Sequence, residues 1–196
     1  MRVLIGCEFS GVVRDQFIRL GHDAVSCDVL PTRAKGPHIQ DDVLAVINDG
    51  WDLAIFHPPC TYLANSGNKH LYIEPERPNK AALASIFFKE LLNSPIPRVC
   101  VENPIMRAPE HNAGRRADQV IQPWMFGHME KKATCLWLRG LPKLMPISDL
   151  KEATEALPLH LQQKSFYMTP SADRGLLRSI TYHGIAFAMA KQWGSL

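Results

Sequence analysis

Residues 51–67 read Trp-Asp-Leu-Ala-Ile-Phe-His-Pro-Pro-Cys-Thr-Tyr-Leu-Ala-Asn-Ser-Gly, and this stretch decides the fold class. Leu53 to Phe56 is a short unbroken apolar run, the pattern of a strand buried on both faces of a parallel sheet. Two prolines then end it, because proline has no N–H to give to a sheet ladder. Cys60 follows at once. In open α/β sheets the ligand crevice lies beyond the carboxyl ends of the strands, so Cys60 stands where such folds do chemistry. The Pro-Pro stop and the polar, glycine-containing loop behind it favour that reading over a small buried thiol.

Upstream, Arg2 to Cys7 predicts a first strand that runs directly into Glu8-Phe9-Ser10-Gly11. Val13, Phe17 and Leu20 then recur at helical spacing, and Gly21-His22 ends that helix. Ala24 to Cys27 predicts a second strand with Asp28 at its carboxyl end. An acid there is placed to bind the ribose hydroxyls of a nucleoside cofactor; a cap or turn residue is the other reading of it. The turn after the first strand has Gly6 and Gly11 in place of a full GxGxxG, which favours a nucleoside without phosphates over a dinucleotide. Pro31 to Gln40 reads as a loop. Asp42, ahead of a short helical run ending at Ile47, lies within reach of an adenine ring.

Downstream, Tyr62 to Lys80 is a long polar loop with Asn65, Ser66, Gly67 and Asn68 together and basic residues at Lys69, His70, Arg77 and Lys80. It reads either as a lid over the cysteine or as a surface loop. Lys80 to Leu92 predicts a helix, and Arg98 to Val101 a further buried strand ending in Glu102-Asn103-Pro104. A thiol and a carboxylate at neighbouring strand ends suit activation of a heteroaromatic ring. The thiol attacks a ring carbon while the acid protonates or hydrogen-bonds a ring nitrogen. Met106 to Pro123 reads as irregular, and its Arg107, His111, Arg115 and Arg116 fit phosphate contacts or a solvated loop equally. Trp124 to Leu138 predicts a turn entering a strand. Residues 141–178 carry prolines and one short helical candidate near Leu150 to Leu157, and Ile185 to Trp193 predicts a last amphipathic helix.

Composition narrows the class. The chain has 196 residues, a length suited to one domain, and a net charge of +3, too mild for a protein that binds nucleic acid by charge alone. Five cysteines stand singly, with no CxxC pair for a metal and an odd number that argues against a disulfide framework. Neither a signal peptide core nor a membrane-spanning run is present in the sequence, so a soluble cytoplasmic protein is expected.

With these residues in order, the chain resembles the cytosine-5 DNA methyltransferases, above all the short forms encoded by bacteriophages and prophages. Pro59-Cys60 matches the family's nucleophile dipeptide and Glu102-Asn103 its Glu-Asn dipeptide. Cys-Glu-Phe-Ser-Gly at 7–11 resembles the first cofactor motif, Asp28 falls at the ribose-binding acid and Asp42-Val43 at the adenine-contacting pair. The resemblance implies a Rossmann-like α/β methyltransferase fold, a mainly parallel seven-stranded sheet with helices on both faces, and S-adenosyl-L-methionine as cofactor. It implies that Cys7, Glu8, Phe9, Ser10, Gly11, Asp28, Val29, Asp42, Val43 and Pro58 bind that cofactor. Cys60, Glu102, Asn103 and Lys132 would be catalytic, and Pro59, Ser66 and Thr134 would hold a cytosine flipped out of DNA. Residues 1–142 would form the catalytic and cofactor-binding core, 143–178 a reduced segment where larger members carry a target-recognition domain, and 179–196 a helix returning to the core.

The sequence departs from the family at Glu130-Lys131-Lys132-Ala133-Thr134, which aligns with a Gln-x-Arg-x-Arg motif: Lys132 replaces the first arginine and Thr134 the second, the base contact. With so short a recognition segment, DNA reading falls to low specificity, a partner subunit or a homodimer. Two other readings stay open, the same chemistry on a free cytosine nucleotide and a silent cofactor- or DNA-binding protein. No metal is expected.

Overall fold

The computed structural model describes residues 1–67 and 73–196. The expected apolar runs become β1 (Arg2–Gly6), β2 (Asp23–Asp28) and β4 (Leu53–Phe56), with β3 (His38–Gln40) between the last two. β5 (Arg98–Pro104), β6 (Gln119–Ile121) and β7 (Thr134–Arg139) follow. The described residues form a seven-stranded sheet in the order β3-β2-β1-β4-β5-β7-β6. Neighbours from β3 to β5 are parallel, and β7 is antiparallel to both β5 and β6.

β4 lies in the middle, and all four of its residues are fully buried. Its side chains alternate between two cores, as the pleat requires. Leu53 and Ile55 pack with Val13 and Phe17 of α1 (Val12–Arg19) and with Ile185, Met189 and Trp193 of α9 (His183–Trp193). Ala54 and Phe56 pack on the other face with Val43 of α2 (Val43–Val46) and with Phe88 and Leu91 of α3 (Arg77–Leu92). Helices thus cover both faces, which is why the run reads as continuously apolar. Each of the Val, Leu, Ile, Met and Phe side chains among them contributes about 1.5–3 kcal/mol on burial.

Four short helices, α5 (Lys151–Glu155), α6 (Leu159–Gln162), α7 (Lys164–Tyr167) and α8 (Arg174–Ser179), occupy the proline-rich stretch before α9. The single helical segment expected there corresponds to α5. A 3-10 turn at Pro123–Phe126 leads toward β7.

Two expectations are corrected. His38–Gln40, read as loop, pairs with Ser26 to Asp28 of β2. Arg14, fully buried on α1, holds the preceding loop in place by donating to Ser26 Oγ at 3.0 Å and to the carbonyl of Lys35 at 3.1 Å. Met106 to Pro123 contains α4 (Pro109–Asn112) and β6 in place of irregular chain. Glu102-Asn103-Pro104 ends β5, as expected, and is part of its ladder, because β7 pairs with it residue for residue, Glu102 opposite Leu136. β5 therefore outruns β4, whose last partner in it is Val101.

No helix among the described residues is long and apolar enough to cross a membrane.

Candidate active site

The sheet reverses its winding between β1 and β4, and a cavity of about 870 Å³ opens at the carboxyl ends of these strands. Crevices of this kind are where open α/β sheets bind ligands, and the volume lies in the range of small-molecule sites. Cys7 and Phe9 wall it after β1, Asp28 and Val29 at the end of β2, and Asp42 and Val43 at the start of α2. Pro59, Cys60 and Ser66 come from the segment after β4, and Lys132 from the approach to β7.

Glu8, Ser10, Gly11, Pro58, Glu102, Asn103 and Thr134 are not among the residues of that wall. The Glu8 carboxylate accepts from the Val13 N–H at 2.7 Å and from the Ser10 hydroxyl at 3.1 Å, so it caps α1. Gly11 precedes α1 at φ 74°, a left-handed conformation that suits glycine. Asp42 caps α2 by accepting from the Leu44 N–H at 3.0 Å, and Asp28 accepts from the Leu30 N–H at 2.9 Å. The buried Thr134 hydroxyl donates to the carbonyl of Lys132 at 3.2 Å.

The turn that presents Cys60 is fixed from both sides. Leu63 and Ala64 donate to the Cys60 carbonyl at 3.1 and 2.9 Å, and the Asn103 side chain donates to the Pro58 carbonyl at 3.1 Å. Burial pushes the Cys60 thiol up, and the Glu102 charge adds to this; Lys132 and Arg178 pull it back down. Glu102 is one-fifth exposed, at 21%, and its Oε2 lies 3.1 Å from His57 Nδ1.

Among the wall residues that escaped the sequence reading, two bear on Cys60. His57 stands three places before Cys60 in the quoted stretch and lines the cavity beside it. Arg178, on α8, also lines the cavity, and Lys132 Nζ donates to its backbone carbonyl at 2.5 Å. Nothing in the local pattern around Arg178 marks it.

The basic residues expected nearby are mostly engaged elsewhere. Arg77 donates to the Thr61 carbonyl at 2.7 Å and to Glu74 at 3.1 Å. Arg115 pairs with Asp118 at 2.6 Å, and Arg116 pairs with Glu110. Residues 62–67 of the lid candidate include packed chain, with Leu63 1% exposed; Asn68, Lys69 and His70 lie outside the described residues. All five cysteines are free thiols, and no group of three or more His, Cys, Asp or Glu among the described residues is arranged to hold a metal.

No protein-family model matches the chain, and no curated protein matches its sequence. Among solved structures it is similar to the Entamoeba histolytica methyltransferase EhMeth, with 13% identity over 76% of this chain and 57% of that one, TM-score 0.51. It also matches a prophage-encoded E. coli protein described as a DNA modification methyltransferase, with 15% identity over 81% of this chain and 56% of that one, TM-score 0.49. The S. pombe Dnmt2 methyltransferase matches with 14% identity over 88% of this chain and 61% of that one, TM-score 0.43. The chain spans less than two thirds of the length of each of these structures. What the likeness to EhMeth establishes is the fold, a seven-stranded, mostly parallel α/β sheet of the methyltransferase kind with helices on both faces.

Proposed function

We propose that the chain is an S-adenosylmethionine-dependent methyltransferase acting on carbon 5 of cytosine in DNA. The observation that carries the reading is one cavity with Cys60 beside a carboxylate-bearing strand on one side and Asp28 and Asp42 across β1 on the other. A thiol in the wall of a nucleoside-type pocket, with the Glu102 carboxylate on the neighbouring strand and bonded to the wall residue His57, matches the needs of a covalent ring activation.

The residues present fit the cofactor. Asp28 suits ribose hydroxyls, Val29, Val43 and Phe9 offer apolar surface to an adenine, and Asp41 and Asp42 add negative charge suited to a cationic ligand. When bound, the cofactor supplies a methyl group on a positively charged sulfur. Cys60 as thiolate adds to carbon 6 of cytosine while Glu102 protonates or hydrogen-bonds ring nitrogen 3. Carbon 5, made electron-rich, would then take the methyl group the cofactor supplies, its proton would pass to solvent, and Cys60 would leave. Asn103 holds the Cys60 turn, and Lys132 and Arg178 supply positive charge beside the thiol. Residues 143–178 serve in place of a recognition domain, with α8 closing over the substrate side, which implies short or low specificity. A base inside a duplex has to be flipped out to reach Cys60.

The test incubates the protein and S-adenosylmethionine with DNA containing 5-fluorocytosine, and separately with 5-fluoro-dCMP, and looks for a covalent adduct on Cys60 by intact mass and peptide mapping. The DNA adduct is expected. An adduct with the nucleotide alone moves the substrate to the nucleotide pool, and no adduct with either, while cofactor still binds, leaves a silent binding protein.

A further inference from the structure

His57 follows β4 directly, and its backbone N–H donates to the Gly6 carbonyl at 2.9 Å, extending the β1–β4 ladder by one residue. β5 outruns β4, so Glu102 comes level with it and the two side chains meet, Nδ1 to Oε2, at 3.1 Å. The His57 side chain is only 8% exposed, and its Nε2 is fully buried without a hydrogen-bond partner. The ring also walls a second cavity of about 30 Å³ together with Glu8, Ser10, Ser179 and Thr181. The charged groups that face it are Glu102 from β5, Glu8 from the turn after β1 and Lys132 from the approach to β7. Cys7 and Cys60 are the nearby thiols. Burial works to lower the imidazole and Lys132 assists, yet the Glu102 bond and the charges of Glu102 and Glu8 outweigh them, so the ring holds its proton above the usual histidine range. A buried imidazole bound through one nitrogen to a carboxylate is held in place by it and favoured in its charged form.

We propose that His57 is the positioning residue for Glu102, fixing its carboxylate through Nδ1 and holding the proton that Glu102 delivers to the substrate ring. This rests on the cytosine reading above and deepens it. During addition the Cys60 sulfur–carbon 6 bond forms and the ring's π electrons shift, leaving a carbon 4–carbon 5 double bond and an electron pair on nitrogen 3. The Nδ1 proton of His57 passes to the Glu102 carboxylate, which starts ionised, and Glu102 hands that same proton on to nitrogen 3. His57 ends neutral, Glu102 ends ionised, and the thiolate charge is cancelled in the adduct. When Cys60 is expelled, the nitrogen 3 proton returns by the same route, so the pair is restored each turnover.

The pair is tested without cofactor or substrate by NMR of protein carrying ¹⁵N-labelled histidine. The His57 titration is expected above the ordinary imidazole range in the wild type and lower in Glu102→Gln. A His57 that titrates ordinarily and alike in both proteins overturns the proposal.

The role is tested with His57→Asn, which keeps a donor toward Glu102 but cannot store a proton, its fold checked by thermal melting. The readout is the pH profile of 5-fluorocytosine adduct formation on Cys60. The variant is expected to fall by about a hundredfold at neutral pH and to approach the wild type as acid solvent protonates Glu102. An unchanged rate, or an equal loss at every pH, shows a structural contact only and overturns the role. If wild-type Cys60 forms no adduct at all, the cytosine reading fails and proton delivery to the ring fails with it, while the NMR measurement still reports separately on the pair.

Discussion

The Asn103 side chain donates to the carbonyl oxygen of Pro58 at 3.1 Å and thereby ties β5 to the two-proline turn that carries Cys60. Pro58 and Pro59 have no N–H, so the sheet ladder cannot hold this turn, and a side chain from the next strand takes its place. Asn103 itself is 1% exposed. We therefore predict that Asn103→Ala, which leaves the Pro58 carbonyl without this partner, costs about 1–3 kcal/mol in urea unfolding. It should also slow adduct formation on Cys60, because the turn is freed to sample other geometries. Wild-type stability and adduct rate together in the variant would show that the bond has no part in placing the thiol.

Lys132 and Arg178 both act to lower the Cys60 thiol, against burial and the Glu102 charge. A cation favours the thiolate, which is the reactive form, so removing one leaves less thiolate at a given pH. Lys132→Met and Arg178→Gln are each expected to slow alkylation of Cys60 at pH 8 by about threefold, with a larger effect in the double variant. Peptide mass spectrometry separates Cys60 from the other thiols. Faster alkylation in either single variant would contradict the electrostatic account.

The sequence makes β4 legible because both its neighbours and both covering helices demand apolar side chains, and the Pro-Pro stop marks where the sheet gives way to the site. The residues that wall the cavity after β1 and β2 were legible for a similar reason, since they sit directly beyond strands with clear boundaries. The meeting of His57 and Glu102 was not. It depends on β5 continuing past β4, which depends in turn on antiparallel pairing with β7 far along the chain. β3 was hidden because Gly36 and Pro37 precede it and tertiary bonds from Arg14 supply what local pattern lacks. Arg178 sits on a helix with no buried residue, so no periodicity points to it.

Burial pushes the Cys27 thiol up to about 11, with Asp28, Asp41 and Asp42 adding to it and a bond to the Asp41 backbone opposing. A thiol whose folded value is raised gives a stability contribution that is complete below the unfolded thiol range and is lost as pH climbs through the folded value. Unfolding free energy should therefore fall between about pH 9 and pH 11, by up to about 1.4 kcal/mol per pH unit for this thiol. Urea titrations in reducing buffer measure it, and Cys27→Ala should flatten the slope. A slope that Cys27→Ala leaves untouched assigns the alkaline loss to other groups.

Gly184, in the first turn of α9, tests how tightly the closing helix is seated. Its N–H donates to His128 Nε2 at 3.0 Å, and a Cβ added to it would lie 1.8 Å from the Phe126 carbonyl oxygen. Backbone cannot yield there as a side chain tip would, so Gly184→Ala has to lift the start of α9 away from the Pro123–Phe126 turn. Behind it, Ile185, Met189 and Trp193 fill the core against Val13 and Phe17 of α1. The expected cost is about 3 kcal/mol or more. Gly175, inside α8, is the control: a Cβ added there would meet nothing within 4 Å beyond its own helix. Gly175→Ala should therefore be neutral or stabilising by up to about 1 kcal/mol. Chemical denaturation of the two variants side by side decides the matter, since equal changes would mean that α9 can slide over its turn and is not the fixed lid of this face of the sheet.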